Sequence, residues 1–521
     1  MRPGDEQRER WMPLILAVLA SLFVVLSIEP FPVGVFQDDG IYYVLGKSLA
    51  TGQGYRYLHL PDAPNATHYP PLYPLLLAGF WKLAPTFPAN VTVFKFVNAA
   101  LTALVAAGAW RFARRNLGMG QWTAVFAVGA FVVSTPIVLL SVMVLSEPLF
   151  LAALFPVLMA SERAARTGSG RDAIVAGLAG GLLSLVRTLG AVTIIATVLV
   201  LARRRNWRQA LLAGAAGFVV MLPWQLWVST HGADVPHVLL GKYGSYFAWL
   251  VDGLREGGAA WMVKIAWFNL LQVVTQGWAT VAVDKLPAVV RYGATFVLTP
   301  LFMFGWWRLL QRAPVTALAV AGYLAFVVVW PFVPARFIFG IWPLVGIMFG
   351  LSIESIISWR PRTTARATLR WATVGAVVCL ATGYATYQYL GTSRRWWSQI
   401  QMLNAGRSKY LAEWVVANTP EDAVIATDDE VLIHLYTGRR TVPNGTFTPQ
   451  EHMVPQTPAV AAEALRAILR AYDVDYVMSV SDHGALATSG LAGAMPPELE
   501  KVADVRIGSV FRPVRAAGGT Q

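Results

Sequence analysis

The 521-residue sequence is poor in cysteine and in charge, and it lacks a glycine-rich nucleotide loop, zinc-ligand spacing and internal repeats. Its one cysteine, Cys379, lies inside an apolar run, which excludes an internal disulfide and a cysteine-rich metal site. Charged side chains are only 14% of the chain against 56% apolar ones. That balance excludes a disordered chain and argues against an ordinary soluble enzyme. A mean hydropathy of +0.51 is too high for domains whose surfaces all face water, so the bulk belongs in lipid. Acids are scarcer than bases, 29 against 42, a net charge of +13 that would suggest nucleic acid in a soluble protein. The positions of those charges decide otherwise.

The apolar run from Trp11 to about Ile28 follows Arg2, Arg8 and Arg10 and has no small-x-small cleavage site, so it reads as a retained anchor rather than a removed signal. Further apolar spans are predicted over roughly 92–112, 121–139, 141–161, 173–187, 188–202, 209–228, 288–307, 314–331, 335–357 and 371–390, about eleven in all. In the stretch 173–202 two short helices are expected to meet near Arg187; otherwise the count falls by two. Every even-numbered exit is basic, and with the N-terminal arginines these short segments hold 19 of the 42 basic residues. By the positive-inside rule the N-terminus is cytoplasmic, and the first loop (about 29–91) and the C-terminus lie outside. The apolar but Trp-rich outer segment 229–287, interrupted by Lys264, Asn269, Gln272 and Gln276, is expected to form interfacial helices.

From about residue 391 the composition changes to twelve basic and fourteen acidic side chains with no spanning run. Helices over "SKYLAEWVVANTP", "EVLIHLYTG" and "PAVAAEALRAILRAYD" alternate with strands "DAVIATD" and "VDYVMSVS". The expected architecture is a polytopic α-helical membrane domain, 1–390, followed by a small α/β soluble domain, 391–521, on the outer face. Residues 1–390 carry 30 basic and 15 acidic side chains, so the surplus reports orientation and contact with anionic lipid headgroups, with no role for nucleic acid.

A carboxylate near lipid is expensive, so acids beside spans are the first candidates for chemistry. Asp38 and Asp39 follow the first span. One of two adjacent carboxylates can take a proton from a hydroxyl while the other orients the acceptor, binds a cation or shifts its partner's pKa. Capping of the helix "IYYVLGKSLA" is the plainer alternative. In "HYPPLYPLLLAGF", Pro70, Pro71 and Pro74 set a stiff, aromatic entry that suits the wall of a lipid-linked substrate site or a rigid loop. Glu147, at the outer mouth of its span, needs a partner such as Arg187, Arg336 or a ligand. Arg187 and Arg336 are isolated guanidinium groups suited to phosphate, or to snorkelling toward headgroups. His59 and His68 are open to a divalent ion or a phosphate, with a surface position as the default. Lys242, Tyr243 and Tyr246 are candidates for sugar or phosphate contact. Asp428, Asp429 and Glu430 read as helix-capping acids rather than a metal cluster. Sequons stand at Asn65, Asn90 and Asn444.

Together "DDGIYYVLGKSLATGQGY", "HYPPLYPLLLAGF", "SEPLF", "RFIFGIWP" and "LYTGRRTVP" resemble, in content and order, the GT-C membrane glycosyltransferases. The similarity is to the bacterial branch that includes protein O-mannosyltransferases and the aminoarabinose transferase of lipid A. It implies transfer of a sugar from a polyprenyl-phosphate donor to a lipid, glycan or protein acceptor on the outer face of the plasma (inner) membrane, with inversion. Asp38 would be the base, Asp39 its supporting acid and Glu147 a further acid of the site. Arg336, Arg187, His68 and Lys242 are the candidates for donor phosphate, and Tyr42, Tyr69, Pro70 and Tyr243 for substrate. No cofactor is required by this reading, and a divalent cation stays open. Relatives often carry lysine just before Pro-Pro, where this chain has His68 and Tyr69. The competing classes are a transporter or flippase of lipid-linked sugars, which favours paired repeats and midplane polar residues, and a non-catalytic membrane scaffold.

Overall fold

A computed structural model describes residues 3–30, 32–277, 288–360, 363–506 and 508–514. Arg2, Arg362 and the end of the outer segment, 278–287, lie outside them. The chain divides into two compact units: Met1–Glu29 with Lys95–Trp224 and Met262–Trp397, and Pro30–Phe94 with Gln225–Trp261 and Ser398–Gln521.

The first unit is helical. Four described helices are long and apolar enough to cross a bilayer: Glu9–Leu26, Asn90–Asn116, Glu147–Thr167 and Trp207–His231. A fifth qualifies if the bent pair Gln121–Val132 and Thr135–Val142 is one span. The count of eleven is therefore not reached by length and composition, because breaks cut several apolar runs short. Pro314–Val329 has 16 residues and Trp342–Ser358 has 17, roughly 25 Å of helix at 1.5 Å per residue against about 30 Å of hydrocarbon. The expected spans 121–139 and 141–161 are redivided. The chain bends by 50° after Val132, with Pro136 in the first turn of the new helix, where its missing N–H costs nothing. In 173–202 two helices do meet at Arg187: Gly170–Val186 ends there, and a short 3₁₀ turn, Thr188–Gly190, leads into Ala191–Arg203.

Small residues let these helices close on one another, as van der Waals packing in lipid requires. Ala288–Arg312 packs on Trp342–Ser358. A Cβ at Gly305 would fall 2.0 Å from the Met348 carbonyl oxygen, so only glycine fits that crossing.

The second unit joins the loop Pro30–Phe94 to the C-terminal α/β segment. Helices Asp38–Ala50 and Leu72–Leu83 pack together, and the former also packs on Glu430–Thr437. The helix Trp396–Asn418 leads into a five-stranded sheet of order β2-β1-β3-β5-β4, with β1 Val424–Thr427, β2 Arg440–Pro443, β3 Tyr476–Ser479, β4 Leu499–Val505 and β5 Gly508–Pro513. The first three strands are parallel, in register Ile425↔Thr441 and Ile425↔Tyr476, and β5 runs antiparallel to β3 and β4. Leu411, Val415, Ile425, Ile433, Met478 and Val510 form the core. The sequence missed β2, the β4–β5 hairpin and the helix Asp482–Ala492. The expected outer-segment helix is present as Tyr246–Gln272, kinked where Gly258 takes φ 67°, a conformation that L side chains avoid.

Candidate active site

The candidate residues form two clusters, one in each unit. In the second unit, the turn before Asp38–Ala50 is tied down by one carboxylate. Asp39 accepts hydrogen bonds from the Gly34 N–H (2.9 Å) and the Phe36 N–H (3.0 Å), and it is 1% exposed. Burial, only partly opposed by these backbone donors, raises its pKa to about 6. Those bonds close a loop in which Gln37, a non-glycine residue, takes φ 65°. Strain of about 1–3 kcal/mol is typical of such a residue, and it stands immediately before Asp38.

Asp38 is half-buried, unlike its neighbour. Its Oδ1 accepts the Tyr69 hydroxyl proton at 2.8 Å. Tyr69 is held by the Tyr55 hydroxyl on its own carbonyl (2.8 Å) and by an edge contact with Tyr42, ring centres 5.0 Å apart. Tyr42 in turn meets Tyr73 edge-on at 5.1 Å. Pro70 is buried beside Tyr69, and Pro71 caps the helix Leu72–Leu83.

Both first-loop histidines are buried rather than on the surface: His59 is 0% and His68 6% exposed. Their neighbours Tyr57, Leu58, Leu60, Ala66 and Tyr69 are buried with them, an inward loop that isolated histidines do not reveal. His68 donates from Nδ1 to the Gly244 carbonyl (2.6 Å), and its ring lies 3.6 Å from that of Tyr246. Burial lowers its pKa to about 4, so it is neutral at physiological pH. It therefore brings no positive charge to a phosphate.

A polar knot missed by sequence reasoning centres on Glu430, 1% exposed. Its Oε1 accepts from the Tyr243 hydroxyl (2.7 Å) and the Gln37 amide (3.3 Å), and Lys242 Nζ stands 3.6 Å away. The side-chain capping expected of this acidic run is not made: Asp429 sits at the N-cap without a cap bond, and Ser408 donates to it. Burial raises the Asp429 pKa to about 6. Asp428 instead accepts from the N–H groups of Val480 (2.8 Å) and Ser481 (3.2 Å), pinning the end of β1 to the start of Asp482–Ala492. Among the described residues no group of three His, Cys, Asp or Glu side chains is placed to hold a metal ion. Two sequon asparagines are also internal, Asn90 at 1% and Asn444 at 2% exposed.

In the first unit Glu147 begins the helix Glu147–Thr167 and is 1% exposed. Two guanidinium groups share its Oε1: Arg187 Nη1 at 2.7 Å and Arg336 Nη2 at 3.4 Å. Arg187, in extended conformation at the helix break, also donates to Ser146 Oγ (3.1 Å). Arg336 comes from the short helix Pro334–Phe339. The side chains of Arg187 and Arg336 keep 16% and 32% exposure, respectively. Two guanidinium groups meeting on one carboxylate make a cluster whose forks suit an anion.

The resemblance to the GT-C membrane glycosyltransferases read in the sequence is supported by a family-model match and by likeness of fold to solved structures. Residues 68–227 match the family model described as dolichyl-phosphate-mannose-protein mannosyltransferase. Two crystal structures of ArnT from Cupriavidus metallidurans are similar over nearly the whole length. The apo state has a TM-score of 0.53 and 14% identity, covering 99% of this chain and 100% of that one. The structure bound to undecaprenyl phosphate has a TM-score of 0.52 and 15% identity, covering 98% and 99%. At such identities the likeness establishes the fold. No curated protein matches the sequence.

Proposed function

We propose that this protein is a membrane glycosyltransferase that moves a sugar from a polyprenyl-phosphate donor to an acceptor hydroxyl at the outer face of the membrane. The observation that carries the reading is the division of labour between the adjacent acids. The Asp39 carboxylate is buried on two backbone N–H groups, whereas Asp38 is half-buried and oriented by a tyrosine hydroxyl. Asp38 has the position of a base and Asp39 that of its support.

In the proposed reaction Asp38 takes the proton of the acceptor hydroxyl while that oxygen bonds to the anomeric carbon. The bond from this carbon to the phosphate oxygen breaks, the configuration inverts, and polyprenyl phosphate leaves with the electron pair. In the first unit Arg187 and Arg336, held by Glu147, are the candidates for binding a donor phosphate. His68, neutral and hydrogen-bonded to backbone, is assigned to packing. Lys242 and Tyr243 are held by Glu430, and Tyr42, Pro70 and Tyr243 shape the sugar or acceptor side.

The proposed topology has the N-terminus cytoplasmic, the spans numbering about eleven with several short and tilted, and the first loop and C-terminal segment outside. A reporter fused after Gln521 tests the sidedness: a cytoplasmic signal contradicts it. The activity is tested by giving the purified protein a panel of synthetic polyprenyl-phosphate sugars with protein, lipid and glycan acceptors. Release of polyprenyl phosphate together with a glycosylated acceptor supports the reading. Movement of intact donor across proteoliposomes with no cleavage would move the protein to the transporters.

A further inference from the structure

The hydroxyl of Tyr69 donates to Asp38 Oδ1 at 2.8 Å from a ring that is only 5% exposed and packed edge-on against Tyr42. Its backbone is held separately by Tyr55, whose hydroxyl donates to the Tyr69 carbonyl at 2.8 Å. A side chain fixed at both ends, with its one donor on a carboxylate, is built to aim that carboxylate. We propose that Tyr69 is a positioning residue for Asp38: it holds the carboxylate ionised and in one orientation toward the acceptor hydroxyl, and makes no donor-phosphate contact. The inference rests on the reading of Asp38 as the base.

Two features of the surroundings suit this role. Tyr69 keeps its own proton throughout, because burial and the adjacent Asp38 charge hold its phenol well above its ordinary value. It is therefore a permanent donor that never competes for the acceptor proton. The titratable groups whose charges act with Asp38 include Asp39 on the same helix and His68 and Tyr69 from the segment before Leu72–Leu83. His68 is neutral at working pH, and the Tyr69 hydroxyl contributes a donor that favours the ionised carboxylate. A lysine in this place would bring a mobile charge able to bind phosphate; the tyrosine brings a fixed, neutral donor.

The test uses the full-length protein with a donor and acceptor from the panel, measuring kcat and donor KM against pH for wild type, Tyr69→Phe, Tyr55→Phe and Asp38→Asn. Tyr69→Phe keeps the ring and its packing. Loss of a hydrogen bond to a charged group predicts a fall in kcat of about 10- to 100-fold, with donor KM within about twofold of wild type. The carboxylate loses a donor that favours its ionised form, so the acid limb of the kcat profile moves to higher pH, by about one unit. Tyr55→Phe, which withdraws the donor from the Tyr69 carbonyl, moves the limb the same way by less. If Tyr69→Phe raises KM and leaves the limb in place, Tyr69 is a substrate contact and the proposal is overturned. If Tyr69→Phe does not fold, an unmoved limb in Tyr55→Phe overturns it instead. Near-normal transfer by Asp38→Asn overturns the base itself, an outcome distinct from failure at Tyr69.

Discussion

The buried Asp39 makes stability depend on pH in a direction opposite to that of an ordinary paired carboxylate. Its folded pKa is about 6 against 3.8 for a free aspartate carboxyl, a difference of about 2 pH units, worth about 3 kcal/mol at about 1.36 kcal/mol per unit. Between pH 4 and 6 the folded state binds the proton and the unfolded state does not, so stability is fully present below about pH 4 and falls as pH rises through 6. Asp39→Asn removes the ionisation. It keeps one acceptor for Gly34 or Phe36 and turns an NH2 toward the other, at about 1–3 kcal/mol for the orphaned donor. The variant should be the less stable protein at pH 4. By pH 7 the wild type should have lost about 3 kcal/mol relative to the variant, leaving the variant equal to it or more stable by up to about 2 kcal/mol. Unfolding followed by tryptophan fluorescence in detergent at pH 4, 5, 6 and 7 measures this difference directly. A constant offset between the two proteins across that range would refute the reasoning, since it would mean that Asp39 does not titrate there.

Further expectations concern the other unit and the polar knot. Glu147→Ala leaves two guanidinium groups facing each other, and loss of one partner of a buried pair costs about 3–5 kcal/mol. Arg187→Ala should cost more stability than Arg336→Ala, because Arg187 is nearer (2.7 against 3.4 Å) and less exposed. Arg336→Ala should instead act mainly on donor KM; thermal melts and donor titrations separate the two effects. Gly305→Ala sets a methyl 2.0 Å from the Met348 carbonyl oxygen, so the helices must part, lowering stability by about 1–3 kcal/mol or more; an unchanged melting temperature would show that they do not touch. Tyr243→Phe withdraws the 2.7 Å donor from buried Glu430 and should cost about 1–3 kcal/mol in the same assay.

Much of the helical framework was legible because apolar runs in lipid leave little ambiguity. The helices found at Asn90–Arg111, Glu147–Thr167 and Trp207–His231 lie where the runs at 92–112, 141–161 and 209–228 place them, apart from the shifted start of the second. The break after Val132 was missed because the apolar run continues on both sides of Ser134 and hydropathy does not register a bend; Pro136 was its one signal in the letters. In the α/β segment, β1 and β3 are buried apolar strands that alternate with helices. By contrast β4 shows the burial of an edge strand, with Glu500, Lys501 and Val502 exposed, and it has no apolar period to read. The acids at 38, 39 and 147 were legible as acids beside spans. Their different environments were not, since a backbone N–H has no letter in the sequence. Glu430 was read as a cap because its partners, Gln37, Tyr243 and Lys242, lie hundreds of residues away or nearly so.

The central claim is that Asp38 removes the acceptor's proton. Asp38→Asn changes one oxygen to an NH2 at a half-buried position and leaves the Asp39 bonds to Gly34 and Phe36 intact, so the protein should insert and melt as wild type does. The decisive measurement is single-turnover sugar transfer by this variant with a donor that the wild type accepts. A loss of at least about 10³-fold in rate with donor binding retained is the predicted result, within the range of a lost general base. Transfer within about tenfold of wild type, by a variant of unchanged stability, would contradict the account.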